Sequence, residues 1–217
     1  EILGGHTFES RKYPNKPYSL DVDLSLSVQG CLEVHHQPWE KYGVKPGDTL
    51  LMSRPLGVGV FFAAKMRNIN IFDSYECIYK NLLTSQQRLI EKIRSIEEQL
   101  GKQIVNAATD ITGYGLIGHL NEMIEVTNLK RGEKNLKHIK VKLDLNKIKA
   151  YPGIFDLINK GIKSSLFDEN KKILDKNLKK DFHEQTIIFS ERNNNSKNKD
   201  LKVVKELLCD PQTCGPL

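Results

Sequence analysis

The sequence contains no apolar run approaching the roughly 20 residues that a helix needs to cross a bilayer. The first residues also lack the basic and then apolar pattern of a secretory signal. The four cysteines, Cys31, Cys77, Cys209 and Cys214, lack the close pairing of a zinc ribbon and are too few for a disulfide scaffold. We therefore expect a cytoplasmic protein with no membrane contact, whose thiols are free, although Cys209 and Cys214 share one short loop and could react.

Aromatic residues make up only 7% of the chain and do not alternate with lysines as a base-stacking surface requires. The net charge of +6 would suit a nucleic-acid-binding protein. The basic residues are nevertheless dispersed among acidic ones, as in Glu91-Lys92 and the nearby Glu97-Glu98, and do not form a stripe. The sequence thus disfavours specific nucleic-acid binding, and a cleft for a polyphosphate would account for any local excess of positive charge.

Hydrophobic patterning predicts both strands and helices. Residues 18–28 alternate strictly between apolar and polar, which predicts a long strand with one buried face. Further strands are predicted at 49–53, 105–109, 139–143 and 186–189, helices at 58–67, 73–100 (broken near Thr84), 115–126, 152–160 and 170–178, and a mobile polar loop at 191–199. Because strands and helices mix without strict alternation, we expect one α+β domain with a mixed β-sheet covered by helices.

The first segment with chemical potential is Gly4-Gly5-His6-Thr7. Successive glycines let backbone amides approach an anion, and His6 and Thr7 add side-chain donors. A tight turn with a surface histidine explains the same four residues and is favoured on this segment alone.

The second segment is a predicted strand, a glycine-rich turn and a helix at 105–126, with Thr109, Asp110, Thr112, Gly113 and Gly115 in the turn. A helix that starts after such a turn suits phosphate binding, and Asp110 suits Mg²⁺ held against phosphate oxygens. Alternatively, Asp110 or Thr112 caps the helix and the glycines allow close packing. The two interpretations are evenly balanced. His119, inside the helix, is expected to pack or form hydrogen bonds and not to bind a metal.

The third segment is Asp210-Pro211-Gln212-Thr213-Cys214-Gly215-Pro216-Leu217. Proline, glycine and threonine build a defined turn from which Asp210, Gln212 and Thr213 present polar groups. A purely structural loop is the slightly favoured interpretation.

The three segments, in this order and together with 45–60 and 161–166, resemble selenophosphate synthetase almost from end to end. The resemblance implies the C-terminal α+β fold of aminoimidazole ribonucleotide synthetase-related enzymes. It also implies that ATP, selenide and water are converted to selenophosphate, AMP and orthophosphate by a homodimer. In this reading residues 1–17 connect to a missing N-terminal ATP-binding domain, and residues 18–217 are the C-terminal domain, truncated at its end.

The resemblance also implies roles for individual residues. Gly4, Gly5 and His6 would contact nucleotide, and Asp110 would bind Mg²⁺. Residues assigned to active-site loops without a defined role are Thr7, Thr109, Thr112, Gly113, Gly115, Asp210, Gln212 and Thr213. The chain departs from the family at Cys214, usually Ser, at Pro216, usually Gly, and at Tyr114, usually Phe.

The family's reactive Cys or selenocysteine, its essential Lys and its other metal-binding Asp residues belong to the missing half, so the fragment is predicted to be inactive alone. A parent protein fused to a pyridine-nucleotide oxidoreductase would fit the Lys- and Asn-rich composition. The alternatives are another ATP-dependent enzyme of the same superfamily, or a non-catalytic dimerisation module that has kept the fold.

Overall fold

A computed structural model describes residues 29–32, 36–69, 75–181, 183–190 and 201–212. The predicted strand at 18–28, the loop at 191–199, Gly4–Thr7, and Thr213 with Cys214 lie outside the described residues.

Seven α-helices and two strands make up the regular structure of the described residues. The helices are α1 (Val58–Met66), α2 (Tyr75–Leu83), α3 (Gln87–Leu100), α4 (Gly115–Glu133), α5 (Ile154–Asn159), α6 (Phe167–Lys179) and α7 (Leu201–Leu208), and the strands are β1 (Val141–Asp144) and β2 (Ile187–Ser190). All five predicted helical regions are confirmed, including the break near Thr84. Helix α4 starts at Gly115 as predicted and extends seven residues beyond Val126.

Strands β1 and β2 pair in parallel, with Val141 opposite Ile187. Parallel strands need a long crossover, and here a short 3₁₀ helix, α5 and α6 supply it. Two buried asparagines fasten the strands to the helices: Asn128 of α4 exchanges two hydrogen bonds with the backbone of Ile139, and Asn177 of α6 bonds Ile187 and Thr186. The predicted α+β class is confirmed as a helix-rich domain with a small parallel sheet.

Two predicted strands are wrong. Residues 49–53 and 105–109 have no ladder partner among the described residues. One backbone hydrogen bond, from Ala108 N to Glu40 O at 2.9 Å, joins residues 105–109 to the segment around Glu40. The side chain of Asn106 also donates a hydrogen bond to the carboxylate of Asp48. A single backbone bond does not make a strand pair, so both segments are irregular.

The core lies between α1, α5, α7 and the sheet, where Phe61, Leu145, Ile154 and Leu208 are fully buried. Helix α3 differs from this pattern, because Leu89 and Leu100 of its apolar stripe are 39% and 55% exposed while Glu97 is buried. The Glu97 carboxylate accepts hydrogen bonds from the amides of Ile104 and Val105. Among the described helices, none is long and apolar enough to cross a membrane.

Candidate functional site

The N-terminus of α1 is capped by the loop at 210–212. The side-chain oxygen of Gln212 accepts hydrogen bonds from the amides of Gly57 at 3.1 Å and Val58 at 3.2 Å. The first amides of a helix have no partner within the helix, and a side-chain acceptor stabilises them. The other end of the Gln212 amide donates to the backbone oxygen of Asp210 at 2.8 Å and to its carboxylate at 3.0 Å. The polar atoms of the Gln212 side chain are therefore fully used within the fold.

Asp210 lies beside the same helix end and is completely buried. The amides of Val60 and Gly59, the Gln212 side chain and the Ser164 hydroxyl favour its ionised form. Burial outweighs them and raises the pKa of Asp210 to about 7. The loop thus contributes a carboxylate that changes charge near neutral pH.

Two glycines allow the loop to approach this closely. A Cβ on Gly59 would lie 2.3 Å from the backbone oxygen of Pro211 and 2.6 Å from Oδ1 of Asp210. Gly115, with φ +64°, starts α4, and a Cβ there would lie 2.8 Å from the oxygen of Leu208. Both positions admit only hydrogen, which supports the close-packing interpretation for Gly115.

The second and third sequence segments meet in space. The backbone amide of Gln212 donates to the backbone oxygen of Thr112 at 2.9 Å. Asn170 of α6, only 2% exposed, donates to the backbone oxygens of Gly113 and Cys209 at 2.8 and 3.0 Å. A backbone bond and one bridging side chain therefore hold the Thr112–Gly113 turn and the 209–212 loop together.

Asp110 lies at the edge of this junction and is half-buried. No described residue donates a hydrogen bond to its carboxylate or forms an ion pair with it. Thr109, Thr112 and Gly113 are also half-buried. Asp110 is thus the one predicted site residue of the described set whose carboxylate remains available to a ligand.

The predicted side-chain cap of α4 is wrong. The N-cap is Tyr114, and no side chain caps the helix. The backbone oxygen of Thr112 accepts from Gly115 N at 3.1 Å, while the Thr112 hydroxyl lies 3.2 Å from Nε2 of His119. The Thr112 amide also donates to Nε2 at 3.1 Å. His119 is thus a hydrogen-bonding residue, as the sequence predicts.

Asp110 is suited to a divalent cation that is shared with substrate phosphates and not to one held by protein ligands alone. Among the described residues, no group of three or more His, Cys, Asp or Glu side chains is arranged to hold a metal ion. Mg²⁺, however, keeps several waters and is commonly bound by one or two carboxylates together with substrate phosphates. A single unpartnered carboxylate fits that mode and does not fit a cage built entirely from protein ligands.

Comparison with protein families matches residues 45–130 to the family described as AIR synthase related protein, C-terminal domain. The match includes the first turn of α1, Asp110 and His119. Residues 45–130 are therefore similar to that family.

Proteins similar to this chain carry the name that the sequence motifs suggest. The chain is 33% identical over 125 residues to a selenide, water dikinase of Carboxydothermus hydrogenoformans, covering 57% of this chain and 31% of that protein. Proteins of the same name match the whole chain in Caldanaerobacter subterraneus, at 28% identity and 50% of that protein, and in Treponema denticola, at 26% and 49%. The resemblance to selenophosphate synthetase is confirmed, and the chain spans between about a third and a half of these relatives.

Sequence reasoning missed the role of Asn170 in this domain. Phe167, Asn170, Leu174 and Asn177 follow one another at spacings of three, four and three residues, and all are buried. An asparagine on the apolar face of an amphipathic helix must find hydrogen-bond partners, because an unpaired buried amide is costly. That pattern was the available signal.

Proposed function

We propose that the chain is the C-terminal part of a selenide, water dikinase, which makes selenophosphate, AMP and orthophosphate from ATP, selenide and water. The proposal is supported by the order of the motifs and by whole-chain similarity to proteins of that name. As the chain spans at most half of those relatives, the reaction also needs residues that this sequence does not contain.

The observation that carries the proposal is the Asp110 carboxylate, which has no partner among the described residues and lies near two joined loops in the sequence. Its neighbours Thr112 and Gly113 are fixed by Gln212 and Asn170, so the carboxylate is presented from a rigid base. Catalysis of phosphoryl transfer consists mostly of positioning and of neutralising phosphate charge. Mg²⁺, when bound, would supply that neutralisation, and Asp110 would hold it against the phosphates.

The remaining assignments complete the proposal. Gly4, Gly5 and His6 contact the nucleotide, and two copies of the full-length protein form a homodimer. An N-terminal ATP-binding domain provides the reactive residue and the other metal ligands. A chain limited to residues 1–217 is then inactive, since it brings one candidate carboxylate ligand and lacks the residues that the N-terminal domain would provide.

The experiment is phosphorus NMR on the full-length protein incubated with ATP, Mg²⁺ and selenide without oxygen. A phosphorus signal coupled to selenium, appearing together with AMP, is expected. Asp110→Asn should raise the Mg²⁺ concentration needed for half-maximal activity at least tenfold, because the neutral side chain is a poorer ligand. Asp156→Asn, the same change at an exposed position of α5, serves as the matched control and should leave the Mg²⁺ dependence unchanged.

Other products would contradict the proposal in distinguishable ways. Formation of ADP without selenophosphate would indicate another ATP-dependent enzyme of the superfamily. No nucleotide turnover in an intact dimer would indicate the non-catalytic module. Unchanged Mg²⁺ dependence in Asp110→Asn would remove Asp110 from the metal site even if selenophosphate is formed.

A further inference from the structure

His119 occupies an unusual position in α4. It is 5% exposed, and its Nε2 faces the Thr112 amide at 3.1 Å. A backbone amide can only donate, so Nε2 must accept and carries no proton. The ring is therefore neutral, with its proton on Nδ1.

The surroundings of His119 favour this neutral form. Burial lowers its pKa, as does Lys41, and together they outweigh Asp110 and Glu122, which raise it. Nδ1 has no hydrogen-bond partner among the described residues, and the Glu122 carboxylate lies 4.0 Å away. Glu122 is itself engaged by Lys41 at 3.0 Å. A protonated ring would place its Nε2 hydrogen against the Thr112 amide hydrogen and break the contact.

The contact matters because of where Thr112 lies. Thr112 follows Asp110 by two residues, and its backbone oxygen is already held by the amides of Gly115 and Gln212. His119 holds the amide of the same residue, so the two peptide groups that flank Thr112 are both held by hydrogen bonds. The Tyr114 ring packs edge-on against the imidazole, with 5.9 Å between centroids, and limits its rotation.

We propose that His119 is a positioning residue: as a neutral imidazole it anchors the Thr112 amide and thereby holds Asp110 where its carboxylate can bind a phosphate-bound divalent cation. The proposal rests on the function proposed above for Asp110. His119 itself contacts neither the cation nor the substrate. It acts through the backbone between Thr112 and Asp110.

The test uses three variants of the full-length protein. His119→Phe keeps a ring but removes the acceptor. His119→Gln restores an acceptor at the end of a side chain of similar reach. Met123→Ala is the control, because it leaves a cavity at another buried position of α4 and removes no hydrogen-bonding group.

Two quantities are measured, namely amide hydrogen exchange in a peptide covering residues 109–115 and the Mg²⁺ concentration at half-maximal ATP turnover. His119→Phe should accelerate the exchange at least tenfold and raise the half-maximal Mg²⁺ concentration at least fivefold. The Michaelis constant for ATP at saturating Mg²⁺ should stay within twofold. His119→Gln should recover most of both changes, and Met123→Ala should lower the melting temperature without producing either.

Three results would overturn the inference. Unchanged exchange in His119→Phe would show that the anchor does not exist. Faster exchange with unchanged Mg²⁺ dependence, where Asp110→Asn does change it, would leave the proposed function standing and remove His119 from it. An Asp110→Asn variant with normal Mg²⁺ dependence would overturn the metal role of Asp110 and this inference with it, whereas the proposed reaction is tested separately by the formation of selenophosphate. The exchange data would then show whether His119 still anchors Thr112 as a purely structural feature.

Discussion

The side-chain oxygen of Gln212 lies 3.2 Å from the backbone nitrogen of Val58, although 154 positions separate the two residues. The same oxygen binds Gly57 N, and the other end of the side-chain amide binds Asp210. The loop at 210–212, which lies at the C-terminal end of the described residues, therefore caps the N-terminus of α1. The sequence alone does not show that its polar groups are used in this way.

Replacing Gln212 by Leu should destabilise the domain strongly. The substitution keeps the size of the side chain but leaves the amides of Gly57 and Val58 buried and unpaired. Each unpaired buried group costs about 1–3 kcal/mol, so we expect a loss on the order of 3 kcal/mol in the free energy of unfolding. Urea denaturation measures it. Gln185→Leu, which removes one hydrogen bond at a half-buried site, should cost less than about 1 kcal/mol, and equal losses would refute the capping role.

Asp210→Asn should change how stability depends on pH. Folding raises the pKa of Asp210 from 3.8 to about 7, so between these values the folded state binds the proton and the unfolded state does not. The contribution of Asp210 to stability is thus fully present below pH 3.8, is lost as the pH rises to about 7, and changes no further once both states are ionised. Asparagine cannot ionise, so the stability of the variant relative to the parent should rise over the same range, from pH 3.8 to about 7, and then level off.

The measurement is the difference in unfolding free energy between parent and variant at several pH values. The exposed Asp168→Asn supplies the control and should show no such trend. A difference that is constant with pH would mean that Asp210 keeps one charge state throughout.

Gly59→Ala and Gly132→Ala should change the free energy of unfolding in opposite directions. The added methyl group at Gly59 meets the backbone of Pro211, which cannot move without loosening the cap, and a loss of about 1–3 kcal/mol is expected. Gly132 lies in the last turn of α4 with its nearest neighbour 3.9 Å away, so alanine should add up to about 1 kcal/mol through its helix propensity. Melting temperatures of the two variants decide the question, and a gain at Gly59 would contradict the close approach.

Cys209 should resist alkylation in the native protein. It is completely buried, and burial raises the pKa of its thiol to about 12, whereas Cys31 and Cys77 are exposed. Since the thiolate is the reactive form, iodoacetamide at pH 8 should label the two exposed cysteines and leave Cys209 unmodified until denaturant is added. Mass spectrometry of tryptic peptides reports each site separately. Rapid native labelling of Cys209 would show that the 209–212 loop opens.

The sequence predicted helices better than strands, for a physical reason. An amphipathic helix can be recognised from the spacing of apolar residues within one short segment, as in α3 and α6. A strand depends on a partner elsewhere in the chain, and residues 105–109 have the composition of a strand but only one backbone bond to their neighbour. The strands at 139–143 and 186–189 were predicted from short local patterns, such as the alternation of Ile139, Val141 and Leu143, and the structure pairs them with each other.

The candidate site was predictable as a set of segments but not as a structure. Glycines, Asp110 and the Asp210–Gln212 turn stand out in the sequence because of their composition. Contacts between residues distant in sequence decide which of these polar groups form hydrogen bonds within the domain. The bonds from Asn170 to Gly113 and Cys209 are examples. The side chain of Gln212 is fully bonded within the fold, whereas the Asp110 carboxylate has no partner among the residues that the structure describes.

The distance along the chain between α1 and its cap also bears on the order of folding. Helix α1 is too short to be stable in isolation, and its first amides gain their partners only when residues 210–212 have docked. Contacts between such distant residues close late, because the entropy of the whole intervening loop must be lost first. A nascent chain that has been synthesised only as far as residue 209 therefore has an uncapped α1. Capping of that helix is a late step in the folding of the domain.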